Sequence, residues 1–415
     1  MGKPGPVRGP ATFTHHGGVS SVPSLRDSAW GSSGLAYLTG LPEGPPDFSR
    51  ANVLTHAQRV SAAVGERLGL TIDAAGLLAG RAALLGLTRG GRVSAGGATR
   101  LLVAADGWCA ITLSRPEDAA AVPALVQSDD ATCDPWPALQ RWAATQPLAA
   151  IIERTALLDI PAAALGGAAA TEPRIRPRGP RGPARDVAGL LVADLSAMWA
   201  GPLCGQLLAR AGASVVKVES PGRPDGTRAG DRAFFDWMNG EKLSYCVDFD
   251  RQADELRELL AAADVVIEGS RPAALARRRL GPDDVATGQG RIWLRIKGYL
   301  DERPAFGDDA AVGGGLVGVA ADGPVFCGDA IADPLTGLEA TRLVADSLGR
   351  GGGELIEVSM AAVAAGYAAL PTQPSRANRP APPPPIPPPA RPAARLGADN
   401  EAVRRMVARR GCPPC

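Results

Sequence analysis

The sequence predicts an α/β protein: a Rossmann-like parallel sheet with flanking helices, joined to a smaller α+β domain. Three observations carry that expectation. From Val187 onward, short apolar runs alternate with helical patterns, as in a parallel sheet covered on its faces. In the first half, two β-like runs flank Asp106-Gly107 and read as a hairpin. The 415 residues, 45% hydrophobic and 21% charged, supply a sizeable core and room for more than one domain.

Taken in order, residues 1–28 are polar and rich in Gly, Pro and Ser, and read as a flexible arm holding His15 and His16. Residues 29–171 form the first expected unit. Val60–Leu68 and Ala74–Leu87 read as helices; Arg100–Ala104 and Trp108–Leu113 are the two hairpin strands, preceded by Ala95-Gly96-Gly97. Helical patterns follow at Ala119–Val126, Pro137–Thr145 and Leu148–Leu158. Residues 172–186 are dense in Pro, Gly and Arg and read as a linker; the alternative is a basic patch for an anionic ligand.

Residues 187–370 are the Rossmann-like unit. Val187–Leu195 is a strand, Leu203–Ala211 a helix and Ser214–Val218 the next strand. Ser244–Val247, Asp264–Ile267, Arg291–Ile296 and Gly351–Met360 continue the strands, with helices at Arg251–Ala263 and Leu275–Leu280. Residues 371–415 are a Pro-rich tail, polyproline II in character, ending in a short basic helix without a core of its own. A short internal similarity links Gly34–Pro46 to Gly315–Val325.

The net charge of +1 gives no reason to expect nucleic acid or an anionic membrane as partner. No segment is a long uncharged apolar run, and the opening M-G-K-P-G-P lacks a signal-peptide core. Seven scattered Cys suit a reducing cytoplasmic setting better than a disulfide framework. Cys412 and Cys415 form a lone pair near the end, too little for a metal centre, and none is expected.

The chemistry centres on Val325–Gly337, V-F-C-G-D-A-I-A-D-P-L-T-G. Asp333 before Pro334 reads as a helix N-cap with Pro at the first helical position. Free backbone N–H groups and the helix dipole there favour an ionised carboxylate. Locally, Asp333 is either a cap alone or an oriented nucleophile.

The unit Asp194–Pro221, D-L-S-A-M-W-A-G-P-L-C-G-Q-L-L-A-R-A-G-A-S-V-V-K-V-E-S-P, resembles the opening motif of class III CoA-transferases. The resemblance continues in order through Asp225–Arg228, Met238–Ser244, Ala263–Ile267 with Arg271-Pro272, and Gly328–Gly337. It implies a catalytic aspartate at Asp333 and coenzyme A binding at the turn Ala200-Gly201-Pro202. Lys217, Arg228, Lys242 and Arg271 become candidates for the CoA phosphates. Ala95-Gly96-Gly97 with the following hairpin is similar to the family's glycine loop and small domain, which implies a lid and oxyanion donors at Gly96 and Gly97. Here that segment precedes the Rossmann-like half, so the order looks permuted. Gly269-Ser270 replaces the family's Asn-Phe, and Ser220 stands where some members carry Arg.

The resemblance implies transfer of coenzyme A from an acyl-CoA to a carboxylic acid through anhydride and aspartyl-CoA thioester intermediates. The thioester is substrate, no cofactor is permanently bound, and the partners are acyl-CoA and a carboxylate acceptor, in a homodimer. Asp333 is expected to be ionised already, so no general base is required. A racemase of the same family needs a His shortly before the Asp; Phe306-Gly307-Asp308-Asp309 has none. A catalytically silent CoA-binding or assembly subunit is the remaining alternative. A dehydrogenase reading is weaker, because no G-x-G-x-x-G directly follows Leu195.

Overall fold

A computed structural model describes residues 1–2, 25–128, 134–269, 272–374 and 379–411. The described residues hold twelve strands: β1 (Thr99–Ala104), β2 (Gly107–Thr112), β3 (Ala162–Ala164), β4 (Arg174–Pro177), β5 (Leu191–Asp194), β6 (Ser214–Glu219), β7 (Leu243–Cys246), β8 (Val265–Glu268), β9 (Ile292–Lys297), β10 (Val317–Ala320), β11 (Gly323–Phe326) and β12 (Glu354–Ser359). Seven of them form the main sheet in the order β4-β12-β9-β8-β5-β6-β7. All pairings in it are parallel except β12 with β4. The α/β expectation with a mostly parallel, helix-flanked sheet is met.

β5, β8 and β12 are buried at every position, which explains the apolar runs Leu191–Ala193 and Val265–Ile267 in the first two; β12 buries Glu354 and Glu357 as well. From β5 the chain winds outward through β6 to β7, then returns to place β8 on the other side of β5. The reversal leaves a crevice at the C-terminal ends of β5 and β8, where open α/β sheets bind ligands. Residues 195–199 and Gly269 border it, with Ser196 near enough that a β-carbon at Gly269 would sit 3.1 Å from its Cβ.

The two halves share one core. Its largest apolar cluster takes Trp30, Leu54 and Leu78 from upstream, and Val192, Ile267, Leu335 and Ile356 from downstream. Arg50 fastens the halves by donating to the carbonyls of Val317, Ala368 and Gly315 at 2.7, 2.9 and 3.1 Å. The upstream hairpin is the antiparallel pair β1–β2 around Asp106-Gly107, extended by β3.

Several expectations need correction. The helix Leu25–Ser32 begins inside the segment read as an arm; residues 3–24 lie outside the described residues. Arg174–Pro177, read as linker, pairs with β12 as an edge strand whose residues are all exposed. The Pro-rich tail is no free linker. Ala393 N–H donates to Asp236 at 2.8 Å, and Arg232 reaches the Ala393 carbonyl at 2.7 Å. The helix Asn400–Gly411 does have a core: Val403 is wholly buried with the apolar cluster of the sheet face. Asp399 and Asn400 side chains bond the β7 backbone at Ser244 and Cys246, closing that sheet edge. The look-alike segments also diverge: Gly315–Val325 carries the β10–β11 hairpin, whereas Gly34–Pro46 forms turns packed against it. No helix among the described residues is long and apolar enough to cross a membrane.

Candidate active site

The helix Ala332–Gly349 places Asp333 in its first turn. Its N-cap is Ile331, not Asp333. The expectation that the helix end keeps this carboxylate ionised is also corrected. Burial pushes Asp333 up to about 7; Arg81 pulls it back, while Asp308 and Asp329 push it further, against a hydrogen bond from the Gly307 backbone. A helix dipole is worth less than desolvation combined with two neighbouring carboxylates.

The acids come from adjoining pieces of chain. Asp308 and Asp309 open the helix Gly307–Gly313. Asp309 caps it, accepting from Phe306 N–H at 2.8 Å and from the Thr112 hydroxyl of β2 at 3.0 Å. Burial raises Asp309 to about 7 and Asp308 to about 6, the latter further raised by Asp329. Asp329 is fully buried and raised by that burial; one of its oxygens, Oδ2, has no hydrogen-bond partner among the described residues. Gly307 is required by the geometry, since a β-carbon there would overlap Asp333 Oδ2.

The upstream half supplies the cation. Arg81, on the helix Ala74–Leu85, donates to Asp329 Oδ1 at 2.7 Å. Its guanidinium carbon lies 5.6 Å from the Trp199 ring centroid and 5.7 Å from that of Phe234, cation–π distances. The glycine turn lies beside it, with a β-carbon at Gly96 falling 3.4 Å from Arg81 Nη2. Gly96 and Gly97 are exposed, and Ser94, just before them, is among the groups that hold Asp308 down. The segment expected to act as a lid therefore lies beside Arg81 and, through Ser94, beside Asp308. Gly97 N–H, however, donates to the Ser94 carbonyl at 2.8 Å and is removed from the expected oxyanion pair.

Ala200, Gly201 and Pro202 begin the helix Ala200–Arg210, which packs on the Asp333 helix. The contact is backbone-close: a β-carbon at Gly337 would lie 2.7 Å from the Ala200 carbonyl oxygen. Gly201 has the same constraint on its other side, where a β-carbon would overlap Ser196. Both glycines thus set how closely the helix Ala200–Arg210 packs against the helix that carries Asp333 and against the loop after β5.

The basic candidates turn out differently from the expectation. Lys217 is 1% exposed and donates to Asp225 at 2.6 Å and to the Ser196 carbonyl. Lys242, 6% exposed, donates to Asp194 and the Pro202 carbonyl at 2.8 Å and to Asn239 at 3.1 Å. Arg228 makes a two-point contact with Glu219 at 2.8 and 2.6 Å and lies over Phe235. These three side chains are committed internally, so none is a free cation for a phosphate. Burial would raise Asp194, but Lys242 and Lys217 override it and hold the carboxylate below its usual range. The network fixes the loop between β5 and the helix Ala200–Arg210: Asp225 also accepts Met198 N–H, keeping Met198 at φ 71°. Arg271 lies outside the described residues.

Sequence reasoning missed Arg81 and Asp329. Asp329 stood inside the quoted motif, but Arg81 lies 248 positions away, in the stretch Ala74–Leu87 that read only as a helix.

Residues 187–386 match the model of CoA-transferase family III. An acyl-CoA transferase of Fusarium pseudograminearum is 33% identical over 176 residues, 36% of this chain and 39% of its own. The succinyl-CoA–D-citramalate CoA-transferase of Chloroflexus aurantiacus is 28% identical over 200 residues, 43% of this chain and 50% of its own. A crystal structure of a CAIB/BAIF family protein from Brucella suis aligns with 29% identity and a TM-score of 0.41, over 46% of this chain and 56% of that one. The chain thus spans half or less of these two curated relatives.

Proposed function

We propose that the chain, whose residues 187–386 match CoA-transferase family III, moves coenzyme A from an acyl-CoA to a carboxylic acid, with Asp333 as nucleophile. The observation that carries the reading is the place of Asp333. It sits in the first turn of a helix, beside the crevice-facing helix Ala200–Arg210, with a cation and a glycine turn delivered from the other half.

In this reading the acyl-CoA enters over the sheet crevice. Asp333 attacks the thioester carbonyl, the C–S bond breaks, and an acyl-aspartyl anhydride forms. The CoA thiolate then attacks the aspartyl carbonyl, releasing the first acid and leaving an aspartyl-CoA thioester. A second acid reverses the sequence. Each step is an acyl transfer with a stable leaving group, which is the advantage of covalent catalysis. Closing the upstream glycine turn over the site excludes the water that would hydrolyse the anhydride.

Asp333 must lose its proton before attacking. Ionisation near pH 7 is consistent with a shift to about 7, and a half-buried carboxylate is a better nucleophile once charged, because it is poorly solvated. The test is intact-mass measurement after incubation with a panel of acyl-CoAs. Wild type is expected to gain a covalent CoA adduct that hydroxylamine removes, and Asp333→Asn to gain none. Full acyl–CoA exchange by the Asn variant would refute the assignment.

A further inference from the structure

We infer that Arg81 is the receptor for the acceptor's carboxylate, holding it beside Asp333 while the aspartyl thioester is attacked. The inference rests on the CoA-transfer reading and extends it to a residue outside the family-matched segment.

The argument begins with charge. The acceptor is an anion, and it must reach a place walled by Asp308, Asp329 and Asp333. Like charges at that range repel strongly where water is scarce. Arg81 is the cation that acts on all three of those acids. Its geometry leaves it free to take another ligand. Among the described residues only Nη1 is engaged, with a single oxygen of Asp329, so the planar fork is not closed by a two-point carboxylate contact. Nε and Nη2 have no hydrogen-bond partner among the described residues, and the side chain is 23% exposed. Trp199 and Phe234 flank the guanidinium and limit where it can swing. A fork held in plane with open donors matches a carboxylate.

Charge bookkeeping through the cycle agrees. In the aspartyl-CoA thioester, Asp333 is neutral and Arg81 loses one of the anions it faces. The incoming carboxylate restores that charge. Its oxygen attacks the aspartyl carbonyl, the C–S bond breaks, and the thiolate leaves. The thiolate next attacks the acyl carbonyl of the new anhydride, and the electron pair of the broken C–O bond returns to Asp333. One carboxylate replaces another opposite Arg81 at each half-reaction.

The test separates this inference from the nucleophile assignment. Asp333→Asn imitates the neutral, acylated state without chemistry, so succinate binding to the intact variant, measured by calorimetry, needs no turnover. Asp333→Asn is expected to bind succinate more tightly than wild type. Adding Arg81→Gln should weaken binding about 10–100-fold, the worth of a charge-assisted hydrogen-bond pair. Adding Arg81→Lys, which keeps the charge but not the fork, should fall between. Equal binding by Asp333→Asn with and without Arg81→Gln, with melting temperatures matched, overturns the inference. In a second measurement, the CoA adduct of Arg81→Gln should discharge to succinate that much more slowly while hydroxylamine, a neutral nucleophile, removes it at the wild-type rate. Equal slowing of both reagents also overturns it. Failure of the wild type to form any adduct counts against the nucleophile assignment instead, and the binding comparison still decides Arg81.

Discussion

Gly307 and Asp333 approach so closely that no side chain fits between them: a β-carbon on Gly307 would overlap Asp333 Oδ2 and the Ala330 carbonyl. The Gly307 backbone also favours the charged form of the Asp333 carboxylate. One small residue therefore fixes the position of the nucleophile.

Gly307→Ala is accordingly expected to displace Asp333. Overpacking of this kind costs about 1–3 kcal/mol of stability. Adduct formation should fall much further than that loss of folded protein explains, because a displacement of roughly 1 Å at the reacting atom can cost about 100-fold in rate. Melting temperature and adduct yield measured together check it; an active, merely less stable variant would contradict it.

Activity and stability should move in opposite directions with pH. Asp309 and Asp333 are raised to about 7 and Asp308 to about 6, whereas an unfolded carboxyl titrates near 4. Between those values the folded chain holds more protons than the unfolded one, so stability falls as pH rises. The ionised fraction of Asp333, and with it kcat/KM, rises through about 7 over the same interval. A melting point lower near pH 8 than near pH 5, with a shallower slope in Asp309→Asn, is the expected record. A wild-type melting point that climbs across that range would count against it.

Lys242→Met should unfold the protein rather than merely loosen coenzyme A. It would strand Asp194, which is wholly buried, without its 2.8 Å partner. Breaking such a pair from one side costs about 3–5 kcal/mol. Chemical denaturation reads the loss directly. Native stability with weakened CoA binding would restore the phosphate role first expected for this lysine.

Asn400→Ala removes two hydrogen bonds to Cys246, at 2.9 and 2.8 Å, from the outer edge of β7. The expected cost is about 1–3 kcal/mol, with faster amide exchange at Cys246 as the local sign. Unchanged exchange there would mean the contact carries no weight.

The sequence displayed the main sheet well because its strands are short, apolar and separated by amphipathic helices of ordinary length. From β5 through β6 the order of elements was legible and β6 was placed to within a residue, but β5 starts at Leu191 rather than Val187 and the helix after it at Ala200 rather than Leu203. Position within the chain was legible for Asp333, but its charge state was not. That depends first on burial and then on Arg81, Asp308 and Asp329 meeting it in space, and no local pattern encodes either. Arg174–Pro177 was read as a linker because its two arginines and its proline describe an exposed edge as well as they describe a loop. The helix Arg232–Asn239 went unread, although Asp231 caps it by accepting Phe234 N–H at 2.9 Å. The turn Asp322-Gly323 was visible, but was used to support a repeat rather than a hairpin.

The closing of β7 by residues 154 positions further along has a kinetic side. Until Asp399 and Asn400 arrive, one edge of a parallel sheet stands unpaired, and contacts of such sequence separation form late. A chain refolding from denaturant should therefore pass through a species that self-associates by that edge, with yields falling as concentration rises. The strap that looks like an appendage would then act as a guard against aggregation, at the last moment of folding.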